Sequence, residues 1–118
     1  MHLDVDNLTS RGETASPYEI SSLMFKLYAK MSEFFLSKKA LSFFMGGDNF
    51  MVVANSNYKE NAEEFIDIIK NELGIELNCG IGTGKTARNA VKLATKSLDT
   101  IREIRDSGKE KPEIYELT

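Results

Sequence analysis

The stretch CGIGTGKT, residues 79–86, decides between two folds. Read as a P-loop, G-x-x-x-x-G-K-[ST], it would wrap phosphates in backbone N–H groups, neutralise them with its lysine and require a mostly parallel sheet. Gly84, Lys85 and Thr86 fit that pattern, but Cys79 stands where the first glycine belongs. A P-loop domain also needs a magnesium-positioning acidic residue on a later strand. The residues after Thr86 have room only for one helix and one weak strand. A simpler reading accounts for the same glycines: Gly80, Gly82 and Gly84 end a strand and let the next helix pack closely on it.

Working outward, IELNCGIG is a strand, and Thr86 to about Arg105 is a helix striped by Ala87, Ala90, Val91, Ala94, Leu98, Ile101 and Ile104. Before the strand, Tyr58 to Leu73 forms a helix with Ala62, Phe65, Ile66, Ile69 and Leu73 inward, stopped by Gly74. ALSFFMGGDNFMVVAN is a hairpin, two apolar strands about the turn Gly46-Gly47-Asp48-Asn49. Ser16, Pro17 and Glu19 supply a capping serine, a first-turn proline and the glutamate of a capping box. The long helix they open buries Ile20, Leu23, Met24, Leu27, Tyr28, Met31, Phe34 and Phe35. At the start, Leu3 and Val5 alternate with His2, Asp4 and Asp6, the signature of a short strand. EIYEL near the end is an edge strand.

The resulting order is β-α-β-β-α-β-α-β, whose first six elements are the split β-α-β pattern of the ferredoxin-like fold. The expected class is therefore α+β, with a mainly antiparallel sheet and helices on one face. At 118 residues the chain is read as a single domain spanning residues 1–118.

Composition narrows the function. A net charge of −3 argues against nonspecific binding to nucleic acid. No apolar run is long enough to span a membrane and the N-terminus lacks a signal pattern, so a cytoplasmic location is the default expectation. One cysteine and one histidine exclude an internal disulfide and a Cys/His zinc site. Cys79, with apolar neighbours and no nearby histidine, reads as a buried structural thiol. Any metal must be held by carboxylates, which suits magnesium.

The carboxylates are in the right places. In a split β-α-β sheet the first strand pairs with the hairpin, so Asp4 and Asp48 converge despite their separation in sequence. Asp6, two residues beyond Asp4, shares its face if the strand persists. Such carboxylates repel one another unless a cation lies between them, and a magnesium ion carrying nucleotide phosphates would meet that need. Asp48 is also simply a good turn residue. Lys85, Arg88, Lys92 and Lys96 form a basic helix face, read either as solvated or as phosphate-contacting, with Lys85 a secondary candidate.

HLDVDNLT, FFMGGDNFMV and LNCGIGTGKTARNAVKLATKSLDTIRE resemble the palm-type nucleotide domains of nucleotidyl cyclases and GGDEF proteins, and most closely the type III GTP cyclohydrolase of archaea. That family has two tandem palm-like domains, and this chain looks like the second. The resemblance implies magnesium-dependent hydrolysis of GTP to a formamidopyrimidine ribosyl monophosphate and two phosphates. It implies Asp4 and Asp48 as metal-holding catalytic residues, with the Val5 carbonyl as a further ligand. Asn7, Leu8 and Thr9 would offer backbone N–H groups to the phosphates. Asn49 stands where the GGDEF pattern has a glutamate, which favours the cyclohydrolase comparison over a diguanylate cyclase. The implied partners are GTP and either a second palm-like domain or another copy of the chain. Two alternatives use the same fold: a cyclase- or polymerase-like palm, and a noncatalytic nucleotide-binding dimerisation module.

Overall fold

The computed structural model describes residues 1–6 and 16–118. Its elements are β1 (His2–Val5), α1 (Pro17–Ser37), β2 (Leu41–Gly46), β3 (Asn49–Val53), α2 (Tyr58–Leu73), β4 (Leu77–Gly82), α3 (Ala87–Asp106) and β5 (Ile114–Leu117). The sheet order is β2-β3-β1-β4-β5. Every neighbouring pair is antiparallel except β4 and β5, which run parallel at the edge.

Local chemistry sets the boundaries. The Ser16 hydroxyl accepts the Glu19 N–H at 3.2 Å to cap α1, and the Thr86 hydroxyl accepts the Asn89 N–H at 3.1 Å to cap α3. Gly74 ends α2 in the left-handed region, its N–H donating to the Lys70 carbonyl. In the hairpin, Gly46 pairs with Asn49 after a bulge that follows Phe44, and Gly47 takes φ +60°, a conformation few side chains tolerate. These features leave Asp48 at the hairpin tip.

The two sheet faces differ. Leu3, Val5, Phe50, Val52, Leu77, Cys79 and Ile81 enter one core with Met24, Leu27, Met31 and Phe35 of α1 and Ala62, Phe65, Ile66 and Ile69 of α2. The two helices of the split unit thus share one face, as expected. Strand alternation sends His2, Asp4, Asn78, Gly80 and Gly82 the other way, and there α3 lies over β4, β5 and β1. The helices-on-one-face description therefore holds for the six-element unit, while the added α3 takes the opposite face. The reason is steric. A Cβ on Gly80 would collide with the Ala94 carbonyl and the Leu98 amide, and one on Gly82 with the Ala90 carbonyl and the Ala94 amide.

CGIGTGKT is accordingly a strand end and helix entry in which two glycines create a bed for backbone. Its buried helical stripe is Ala94, Ser97, Leu98 and Ile101. Ala87 and Val91, expected inside, are exposed, lining an open recess beside Met51 and Val53 of β3. Ser97 replaces them, its hydroxyl donating to the Ile81 carbonyl at 2.9 Å.

Candidate functional site

β1 carries Asp4 between β3 and β4, opposite Asn49 on one side and Asn78 on the other. It is only 4% exposed, so its charge needs compensation within the protein. Arg102 of α3 donates to Asp4 Oδ2 from Nη2 at 2.7 Å and from Nε at 3.0 Å, and Asn78 Nδ2 donates to Oδ1 at 3.0 Å. Arg102 also reaches Asp99 at 3.2 Å, which holds the guanidinium from its own helix.

Asp6 lies on the same face, as anticipated, because the Asp6 N–H bonds the Glu76 carbonyl and continues the ladder past β1. Its carboxylate is 3.4 Å from Asn78 Nδ2, from Arg105 Nη1 and from Lys111 Nζ. Lys111 also donates to Asn78 Oδ1 at 2.6 Å, fixing which way that fully buried amide points. Asp4, Asp6, Asn78, Arg102, Arg105 and Lys111 form one network, and no buried side-chain N or O among the described residues lacks a partner.

Asp48 approaches this network from the hairpin. Burial, and then the negative charge of Asp4, push its carboxyl above the usual carboxylate range. Its own N–H, the Val5 N–H and the Arg102 charge act in the opposite direction. Asn49 ties the hairpin to the rest: its Nδ2 donates to Asp48 Oδ1 at 3.3 Å, and its Oδ1 faces His2 Nε2 at 3.0 Å and Arg102 Nη2 at 3.5 Å. His2 reaches Thr95 of α3 through its other nitrogen at 3.1 Å.

The structure thus brings together Asp4, Val5, Asp6, Asp48 and Asn49. It places exposed Lys85 at the opposite end of α3. Asn7, Leu8 and Thr9 lie outside the described residues. Arg102, Arg105, Lys111 and Asn78 were missed by sequence reasoning, although α3 running back from Gly82 toward the C-terminal end of β1 was a topological hint of the two arginines.

Among the described residues no group of three or more His, Cys, Asp or Glu side chains is disposed to hold a metal. The donor set at the hairpin is smaller but chemically suitable: two repelling carboxylates and adjacent backbone, all hard oxygen donors that suit magnesium. Arg102 supplies the positive charge at Asp4, so a cation binding there would have to displace or share that contact.

Fold and site define a ferredoxin-like palm domain with paired aspartates at the junction of its first strand and central hairpin. The model of the family GTP cyclohydrolase III matches residues 1–113, and the chain belongs to that family. It is 35% identical over 117 residues to a GTP cyclohydrolase III of Methanococcus maripaludis, covering 98% of this chain and 42% of that protein. Identity to the Methanococcus vannielii protein of the same name is 37% over 119 residues, with the same two coverages. For the one from Methanocaldococcus jannaschii it is 36% over 102 residues, covering 86% of this chain and 38% of the relative. The chain therefore spans well under half the length of these relatives.

Proposed function

We propose that this chain is the palm unit of a magnesium-dependent GTP cyclohydrolase, with Asp4 and Asp48 holding the cation against the phosphates of GTP. The observation that carries the reading is the convergence of these two carboxylates, close enough that Asp4 raises the Asp48 pKa, in a chain of the GTP cyclohydrolase III family. The reaction is hydrolysis of the imidazole ring, keeping its carbon as a formyl group, together with release of two phosphates. The product is a formamidopyrimidine ribosyl monophosphate.

Magnesium at this position would supply charge that polarises phosphoryl oxygens and acidifies water. The residues of the chain supply position. Asn78 and Arg102 fix the Asp4 carboxylate, and Asn49 and the Val5 N–H hold Asp48 at the hairpin tip. The Val5 carbonyl is the further proposed ligand, and the backbone N–H groups of Asn7, Leu8 and Thr9 are the proposed phosphate contacts. Asp6, engaged by Arg105 and Lys111, supports this arrangement from below.

A second reading is favoured by length. Since the matched relatives are more than twice as long, the unit by itself would bind nucleotide while turnover requires a second palm-like partner. One experiment addresses both. The chain is incubated with GTP and magnesium, and guanine absorbance, phosphate and product mass are followed. Ring opening with two phosphates supports the first reading, and magnesium-dependent binding without turnover supports the second. Pyrophosphate with a cyclic or linked nucleotide would replace both with a cyclase-like activity.

A further inference from the structure

The proposed chemistry gives His2 no task. Strand alternation puts it on the same face of β1 as Asp4, and the register sets Asp4 opposite Asn49 and His2 opposite Met51, so His2 lies diagonal to Asn49 across the β1-β3 pair. On α3, Thr95 and Arg102 are seven residues apart, close to two turns, and so share one side of the helix. Two rungs therefore run from α3 to β1. Thr95 Oγ1 meets His2 Nδ1 at 3.1 Å, and Arg102 Nη2 meets Asp4 Oδ2 at 2.7 Å. Both rungs converge on one atom, Asn49 Oδ1, which lies 3.0 Å from His2 Nε2 and 3.5 Å from Arg102 Nη2.

Asn49 has one way to satisfy these neighbours. Arg102 carries donors and no acceptor, so the amide atom facing it is the oxygen. The amide nitrogen then faces Asp48 Oδ1 at 3.3 Å and supplies the donor that an ionised carboxylate needs. His2 must in turn present an N–H from Nε2, which in the neutral ring leaves Nδ1 to accept from the Thr95 hydroxyl. The hydrogen bonds run in one direction, Thr95 to His2 to Asn49 to Asp48, and the members of such a chain strengthen one another. Asp48 has need of it, since it follows Gly47 at φ +60° in the hairpin tip and forms no ion pair among the described residues.

We propose that His2 is a positioning residue for Asp48: through Asn49 it fixes which amide atom faces the carboxylate, and so holds that carboxylate beside Asp4 in the arrangement a cation requires. His2 is the closer of the two donors to Asn49 Oδ1. Without it the amide can turn over, and a turned amide sets oxygen against oxygen at Asp48. One helix then governs both carboxylates, Asp4 directly through Arg102 and Asp48 through Thr95, His2 and Asn49 in series. The proposal rests on the reading that Asp48 holds magnesium, and adds to it a residue that touches neither metal nor nucleotide.

Two substitutions separate the ring nitrogens, because a glutamine amide nitrogen takes the place of Nε2 and an asparagine amide nitrogen that of Nδ1. In calorimetric titration with GTP and magnesium, His2→Asn should weaken binding about fivefold, as expected for one net hydrogen bond, and His2→Gln should recover most of that loss. In an Asn49→Ala background the same His2→Asn change should add nothing, since its effect passes through the missing amide. Equal losses in the two histidine variants, or an undiminished loss in the Asn49→Ala background, overturn the proposal. A second measurement needs no variant. His2 is the single histidine of the chain, so nitrogen NMR in chelator at mildly alkaline pH reads its tautomer directly. The proton is expected on Nε2, and a proton on Nδ1 overturns the relay whether or not nucleotide binds. A wild type that carries the Nε2 proton but binds no GTP with magnesium overturns the metal reading and not the relay.

Discussion

Arg102 grips the buried Asp4 carboxylate through two nitrogens, at 2.7 and 3.0 Å, at the position where a metal-bound nucleotide is proposed to sit. The pair joins the C-terminal half of α3 to the central strand, so it serves both stability and site chemistry. Removing the arginine leaves a buried anion uncompensated. Because Arg102 is one-third exposed, part of the loss is recovered by water. Arg102→Ala is expected to cost about 2 kcal/mol in chelator. That corresponds to a fall in Tm of about 8 °C. Added magnesium should recover more of the Tm in the variant than it adds to the wild type, because the cation no longer competes with a guanidinium. Equal magnesium responses in calorimetry would separate Asp4 from the proposed metal position.

Asp48→Asn should divide stability from binding. The folded protein holds the Asp48 proton more tightly than an unfolded chain does, since burial and Asp4 raise its pKa above 3.8. Between that value and the raised one the native state binds more protons than the unfolded state, so this group's contribution to stability falls as pH rises through the window and stays lowered above it. The asparagine variant should therefore melt higher than wild type in chelator at neutral pH, with the gap closing at pH values below the window. It should also lose magnesium-dependent GTP binding. Calorimetric titration that finds that binding unchanged removes Asp48 from the site.

What the sequence disclosed and what it hid separate along physical lines. The Ser16-Pro17-Glu19 cap, the alternation of Leu3 and Val5 and the stop at Gly74 are local, and each was legible. The Asp4–Asp48 approach was legible one level up, because the split β-α-β order places β1 beside β3. The arginine partner of Asp4 lies 98 positions away, and its contact depends on how closely α3 beds on Gly80 and Gly82. No periodicity encodes that depth. Asn78 looked like an ordinary polar strand residue, and only the burial of its face makes it the common partner of Asp4, Asp6 and Lys111.

The glycines of CGIGTGKT differ in what they should tolerate. At Gly80 and Gly82 an added methyl meets helix backbone, which cannot move aside as a side-chain end would. Gly80→Ala and Gly82→Ala should each cost about 3 kcal/mol. Gly84 is roomier, the nearest atom to a new Cβ being Asn89 Cβ at 3.0 Å. Gly84→Ala should stay within about 1 kcal/mol of wild type and retain GTP binding. A phosphate-wrapping loop would show the reverse order, with Gly84→Ala folded but unable to bind. Urea unfolding of the three variants, with GTP titration of those that fold, distinguishes the two patterns.

Cys79 offers a readout of global opening. It is wholly buried between β1 and β5, with burial pushing the thiol up to about 12, so almost no thiolate exists at neutral pH. Its side chain lies in the core that the sheet shares with α1 and α2, so that core must open before a reagent can enter. Labelling by a thiol-specific disulfide reagent at pH 8 should therefore be slow and should accelerate with urea in step with unfolding measured by circular dichroism. Magnesium with GTP should slow it further if the nucleotide binds only the folded state. Rapid labelling in native buffer would contradict the closed core between the sheet and the two helices α1 and α2.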